Sequence, residues 1–173
     1  TNSVLVSSIL SIARLIALDL SSSICIFDSF EMPSMIISAI FAGSSFLEQA
    51  CKSLKNQENK LILVFGAGGD RDTGKRKQMG EVADKYADEI IVTSDNPRNE
   101  DPAKIADMII EGISKESKIH IELDRSKAIS RAIDKMDETS TLLVCGKGHE
   151  KNQIIGNSKF FFSDKEEIIK CTN

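Results

Sequence analysis

The chain has 173 residues, 41% hydrophobic and 28% charged, with a formal net charge of −4 and a pI of about 5.3. That is enough chain for one soluble globular domain with its own core, and the acidic balance argues against a general nucleic-acid surface and for a small ligand. Four cysteines (Cys25, Cys51, Cys145, Cys171) lie far apart without C-x-x-C spacing, beside only His120 and His149, so zinc is not expected. Reduced, mostly buried thiols of a cytosolic protein are.

The chain opens on "TNSVLVSSILSIARLIALDLSSSICIF", an apolar run interrupted by Arg14 and Asp19 with no basic segment before it. It falls short of the roughly 18 uninterrupted apolar residues of a spanning helix. Neither export nor membrane insertion is expected, and "LVSSILSIARLIALDL" reads as a buried helix. "MIISAIF" follows as a strand and "SSFLEQACKSLK" as a helix with a serine cap. Up to about residue 57 the chain is rich in Ser, Ile and Leu and poor in charge.

Beyond that point the punctuation is crisp. "LILVFGAGG" predicts a strand buried on both faces, and "KRKQMGEVADKYADE" a helix. "IIVTS" is a strand, and "DPAKIADMIIEGI" a helix opening at Asp101 with Pro102 at its first position. "KIHIEL" and "DRSKAISRAIDKM" repeat the pair, "STLLVCGKG" gives a further strand, and "DKEEIIKC" a terminal helix. Apolar strands alternating with helices imply an α/β fold, a mostly parallel sheet with helices on both faces. Ligands of such folds bind at the carboxyl ends of the strands. "GAGGDRD", "SDNPR" and "CGKGHE" all fall there.

"GDRDTGK" (Gly69 to Lys75) has the spacing of a phosphate-binding loop, but Arg76 stands where Ser or Thr would hold magnesium. Asp70 and Asp72 would add negative charge to a phosphate cradle, which argues against an independent P-loop phosphotransferase. Arg71, between those aspartates, is expected to be neutralised by them or aimed by them at an anion. In "DNPR", Pro97 fixes its own φ and extends Asn96, so a stiff loop presents Arg98 and the Asn96 amide in set directions. A fork of that kind suits a carboxylate, although a loop arginine taken alone is more often simply solvated. In "GKGHE", two glycines allow close backbone approach and Glu150 offers an anion to an ammonium group. His149 is a possible base, more often a supporting residue. Together these groups suit a zwitterion.

The segments "VFGAGGDRDTGKRKQMGEVADKYADEIIVTSDNPRNEDP", "DRSKAISRAI" and "LLVCGKGHEKNQIIG" resemble the C-terminal domain of the MurE branch of the Mur ligase family, over about Leu61 to Lys170. The resemblance implies a Rossmann-like domain that selects the amino acid added to UDP-N-acetylmuramoyl-L-alanyl-D-glutamate, and its Asp-Asn-Pro-Arg form implies meso-diaminopimelate. Carried over, Asp95, Asn96 and Arg98 belong to the site. Asn96 and Arg98 would hold the distal carboxylate with help from Arg71, and the Gly146 backbone and Glu150 the distal ammonium. Asp70, Asp72 and His149 would support them. Lysine lacks the distal carboxylate, so Arg98 would be the selectivity device.

The resemblance also implies ATP and Mg2+ in an intact ligase, a cytoplasmic bacterial setting, and no nucleic acid or membrane partner. An N-terminal domain for the uridine nucleotide and a central ATPase domain are not matched by any segment here. "SAIFAGSS" (Ser38 to Ser45) stands where Asp-Tyr-Ala-His-Thr-Pro is expected, and "MPSM" where Pro-Gly-Arg-Met is. Residues 1–36 are therefore expected to be a degenerate end of the central domain, and 37–173 the amino-acid-binding domain. On this reading the chain alone binds no nucleotide tightly and is inactive as a ligase. The alternative is a non-catalytic, decayed α/β module that binds a small anion.

Overall fold

The computed structural model describes residues 43–55, 58–114, 118–148 and 150–172 in full, and the backbone of residues 24–27 and 35–40. Its elements in chain order are strands β1 (Ile24–Phe27) and β2 (Met35–Ile40), helix α1 (Ser44–Leu54), strand β3 (Lys60–Phe65), helix α2 (Gly74–Tyr86), strand β4 (Glu89–Val92) and helix α3 (Pro102–Ile110). Strand β5 (Ile119–Ile121), helix α4 (Arg125–Asp134), strand β6 (Ser140–Gly146), hairpin strands β7 (Asn152–Ile155) and β8 (Ser158–Phe161), and helix α5 (Asp164–Thr172) complete it. The main sheet has the order β1-β2-β6-β3-β4-β5 and is parallel except for β1, which runs antiparallel to β2.

The expected two-sided burial is present, and it follows from strand alternation. Leu61, Leu63 and Phe65 of β3, with Ile90 and Val92 of β4, pack under α1, α2 and α3 through Leu47, Cys51, Met79, Ala83, Ile105 and Ile109. Ile62, Val64 and Ile91 point the other way, against Ala128, Ile129 and Ala132 of α4 and Ile168 of α5. Cys51 and Cys145 are buried free thiols, and desolvation pushes the Cys51 thiol up to about 12.

Three local expectations change. Helix α1 is capped at Gly43 (φ 142°) without a side-chain hydrogen bond, and the Ser44 hydroxyl instead donates to Gln78 Oε1. Ile24–Phe27 is a strand although it closes the run read as helical; the helix expected before it lies outside the described residues. The β7–β8 hairpin was not anticipated. Asp101 does cap α3, its Oδ1 accepting from Ala103 N at 2.9 Å with Pro102 at the first helical position.

A buried ion pair ties the far face to the strand ends. Arg125 Nε and Nη2 donate to Asp164 Oδ1 (2.7 Å) and Oδ2 (2.8 Å), and both side chains are fully buried. Arg125 also donates to Cys145 O at the end of β6 and Ser94 O beyond β4. Burial opposes the Arg125 charge, but the Asp164 carboxylate outweighs it, so the guanidinium titrates above its ordinary value. Removing one partner strands the other in a dry site. Asp164→Ala is expected to destabilise by about 3–5 kcal/mol, and adding Arg125→Met to recover much of that loss. Urea unfolding of the two variants measures both.

Candidate functional site

Three loops meet at the carboxyl ends of β3, β4 and β6, and glycines set how closely. A Cβ on Gly66 would stand 2.1 Å from Thr93 O, and one on Gly69 1.8 Å from Pro97 O. The glycines of "GAGG" therefore admit the Asp-Asn-Pro-Arg loop itself. Gly69 N donates to Asn96 O at 2.9 Å, which fixes the two loops in register. Gly146 (φ 133°) is likewise closed in by protein, since its Cβ would lie 3.2 Å from Arg125 Nη2 and 3.3 Å from Asp95 Cγ.

Arg98 is the residue the loop exists to place. Its backbone is left-handed (φ 50°), a conformation that costs a non-glycine residue of order 1 kcal/mol or more. The β7–β8 hairpin holds it there: Arg98 N donates to Ile154 O (3.2 Å) and Gly156 N donates to Arg98 O (2.6 Å). Its Nη1 donates to Gly69 O at 2.6 Å. The side chain is half-buried, and among the described residues no carboxylate pairs with it.

The acids beside Arg98 in sequence serve other groups. Glu100 takes both terminal nitrogens of Arg76 (2.8 Å each) and the Asp70 amide (2.6 Å), while Asp101 is the α3 cap. Arg76, 1% exposed, also donates to Gly68 O. The residue that departs from the phosphate-loop pattern is thus a buried brace between α2 and two loops. That brace also explains why Gly69–Lys75 is no phosphate cradle. Gly69 N, Asp70 N and Gly74 N are engaged by Asn96 O, Glu100 and Asp72 Oδ1 respectively.

Arg71 is exposed, and neither flanking aspartate touches it, which corrects the expectation that they neutralise or aim it. Asp70 (φ 53°) accepts from Asn99 Nδ2, and Asp72 holds Gly74 N and lies 3.7 Å from Lys75 Nζ. Asn99 of the neighbouring loop claims the Asp70 carboxylate and a local turn claims that of Asp72, so neither reaches the arginine.

Asn96 is buried, 7% exposed. Its Oδ1 accepts from Lys147 Nζ (3.0 Å) and Ile154 N (2.9 Å), and its Nδ2 donates to Glu150 Oε2 (3.2 Å). Asp95 Oδ1 accepts from the same Lys147 Nζ at 3.1 Å. Lys147 is fully buried and donates its third bond to Asn152 O. Glu150 is exposed, and no cation pairs with it among the described residues. His149 lies outside them. The sequence reading passed over Lys147, Arg125 and Asp164, and took Arg76 only as a departure from the phosphate-loop pattern; a lysine between two glycines leaving a buried strand was the available signal for the first. Among the described residues no group of three or more His, Cys, Asp or Glu could hold a metal ion.

The rim of this mostly parallel α/β domain thus carries two arginines and one carboxylate without opposite charges among the described residues. The comparisons with known proteins give the family. The sequence pattern of the "Mur ligase, glutamate ligase domain" matches residues 45–148, and the chain belongs to the Mur ligase family. It is 51% identical over 114 residues to the UDP-N-acetylmuramoyl-L-alanyl-D-glutamate–2,6-diaminopimelate ligase of Prochlorococcus marinus (strain NATL1A), covering 66% of this chain and 22% of that protein. It is 46% identical over 127 residues to the ligase of the same name from Clostridioides difficile (strain 630), covering 72% and 26%. A solved structure of such a ligase superposes with a TM-score of 0.79 at 32% identity, over 87% of this chain and 31% of that one. The fold also matches a folylpolyglutamate synthase/dihydrofolate synthase of Yersinia pestis, TM-score 0.54 at 18% identity. The chain spans about a quarter of the length of the curated relatives it matches.

The Glu100 pair has a pH signature. Arg76 and the Asp70 amide hold the Glu100 carboxyl well below its ordinary 4.5, at about 2. A depressed carboxylate contributes stability that is full above its ordinary value and is lost as pH falls toward the folded value. Glu100→Gln is expected to lower the thermal midpoint at neutral pH and to remove part of the wild-type decline between pH 4.5 and about 2. Thermal melts across that range check it.

Proposed function

We propose that this chain is the amino-acid-selecting domain of an ATP-dependent peptidoglycan-precursor ligase that joins meso-diaminopimelate to UDP-N-acetylmuramoyl-L-alanyl-D-glutamate. The observation that carries the reading is Arg98, half-buried, held left-handed by three hydrogen bonds and without a carboxylate partner among the described residues. Such a guanidinium wants an anion of the ligand, and one shaped for its fork is a carboxylate. Arg71, on the same rim, adds a second positive group. Glu150, held by Asn96, offers the complementary charge to an ammonium. Asp95 braces the loop by accepting from Lys147 Nζ. The Gly146 backbone is closed in by Arg125 and Asp95, so on this reading it adds no open cradle.

Lysine differs from diaminopimelate by the carboxylate that Arg98 would bind, and an unmet charged group in a half-buried site costs on the order of 1.5–3 kcal/mol. The relatives' names support the same substrate pair. On this reading the domain is residues 37–173, residues 1–36 derive from the preceding domain, and the protein acts in the cytoplasm. No helix among the described residues is long and apolar enough to cross a membrane. The amides of Gly69, Asp70 and Gly74 are already engaged, so the Gly69–Lys75 loop offers no open phosphate cradle, and on this reading ATP and Mg2+ are held elsewhere in the ligase. Phosphoryl transfer belongs to the remaining length of the ligase.

Calorimetric titration of the chain with meso-diaminopimelate and with L-lysine tests the proposal. Diaminopimelate alone is expected to bind, with Arg98→Ala weakening it roughly tenfold to a hundredfold. Equal binding of lysine, or an unaffected Arg98→Ala variant, would overturn it. Binding of simple dicarboxylates in preference to diaminopimelate would favour a generic anion module instead.

A further inference from the structure

We infer that Lys147 is a positioning residue that fixes Asn96 as a hydrogen-bond donor toward the ligand, and so sets which charge the inner end of the site can read. This rests on the amino-acid-binding reading of the rim. The side-chain amide of Asn96 could in principle face either way. Its surroundings leave no choice, because Lys147 Nζ and Ile154 N can only donate, whereas the Glu150 carboxylate can only accept. Oδ1 must face inward and Nδ2 outward.

Lys147 is suited to nothing else. All three of its hydrogens are used, by Asp95 Oδ1 (3.1 Å), Asn96 Oδ1 (3.0 Å) and Asn152 O (2.9 Å), and the side chain is fully buried. It cannot reach a ligand without abandoning them. Through those bonds it joins the β6 end, the loop after β4 and the start of the β7–β8 hairpin. The hairpin is the same element that holds Arg98 left-handed. With Oδ1 saturated, the one group Asn96 can turn to the solvent side is N–H, which donates to a carboxylate and rejects an ammonium. An outward Oδ1 would do the reverse and welcome lysine's terminal amine.

Two readouts test this in the intact chain. In 15N–1H spectra the Asn96 side-chain amide is expected as a resolved, exchange-protected pair, and Lys147→Met is expected to average it and open it to solvent. An unchanged Asn96 amide in a folded Lys147→Met variant overturns the inference, whether or not any ligand binds. In titrations with meso-diaminopimelate, Lys147→Met should weaken binding about tenfold or more and narrow its preference over L-lysine. In an Asn96→Ala background the same change should cost less than about threefold, since the effect passes through Asn96. Additive losses would mean a general structural role and would overturn the inference. If the wild type binds neither amino acid, the functional proposal fails while the spectra still decide the role of Lys147. Should Lys147→Met not fold, Asn96→Asp decides: it keeps acceptors for Lys147 and Ile154 but removes the donor. A folded variant with lost diaminopimelate binding is expected, its midpoint lowered by the new carboxylate oxygen facing Glu150, and retained binding overturns the inference.

Discussion

Two carbonyl oxygens, those of Thr93 and Pro97, occupy the places where Cβ atoms of residues 66 and 69 would stand. Everything at the rim depends on that approach. It lets the loop after β4 lie across the end of β3, the neighbouring strand, instead of standing off into solvent. From there Asn96 O can accept from Gly69 N, and Gly69 O can accept from Arg98. The left-handed backbone of Arg98 is tolerable only because bonds close on both sides of it and on its side chain. A freer loop would relax the residue to an ordinary conformation and lose the direction of the guanidinium.

Charge at the rim is arranged in two shells. Arg125 with Asp164, Arg76 with Glu100, and Lys147 with Asp95 are committed to one another and bind loops to sheet. Arg71, Arg98 and Glu150 sit outside them without opposite charges among the described residues. Buried pairs of this kind are weak sources of net stability, because desolvation offsets much of the attraction. Their value lies in geometry: each ties particular backbone groups together, and so sets the backbone beneath the outer groups. This explains why a rim built on loops need not be soft.

The alternation of strands and helices was legible because β3, β4 and β6 are continuous apolar runs ended by glycine or turn formers, and because Asp101 and Pro102 mark α3 unambiguously. The β7–β8 hairpin was not, although Gly156-Asn157 is a two-residue turn with Gly156 at φ 57°. Its strands are partly or fully exposed, with Phe160 and Phe161 turned to solvent, so no burial pattern distinguishes them from a loop. For the site, the sequence located the three loops but not who bonds to whom. Glu100 follows Arg98 by two residues and Asp70 precedes Arg71 by one, yet neither pair forms. Proximity along the chain promises an ion pair only when the backbone turns the two side chains toward each other, and here Arg76 and the Asp70 amide claim Glu100 while Asn99 claims Asp70. Arg76 reads as a flaw in a phosphate motif and is in fact a brace, a role visible only once Glu100 is brought 24 positions back to meet it.

The same bonds bear on how labour is divided in a longer ligase. A loop can cradle phosphates only if its amides are free, and those of Gly69, Asp70 and Gly74 are held by a carbonyl and two carboxylates. Freeing the first two would give up the register between the first two loops and one of the contacts that holds Glu100, and both lie under the loop that carries Arg98. As built, these loops hold Arg98 in place and leave no open phosphate cradle at Gly69–Lys75.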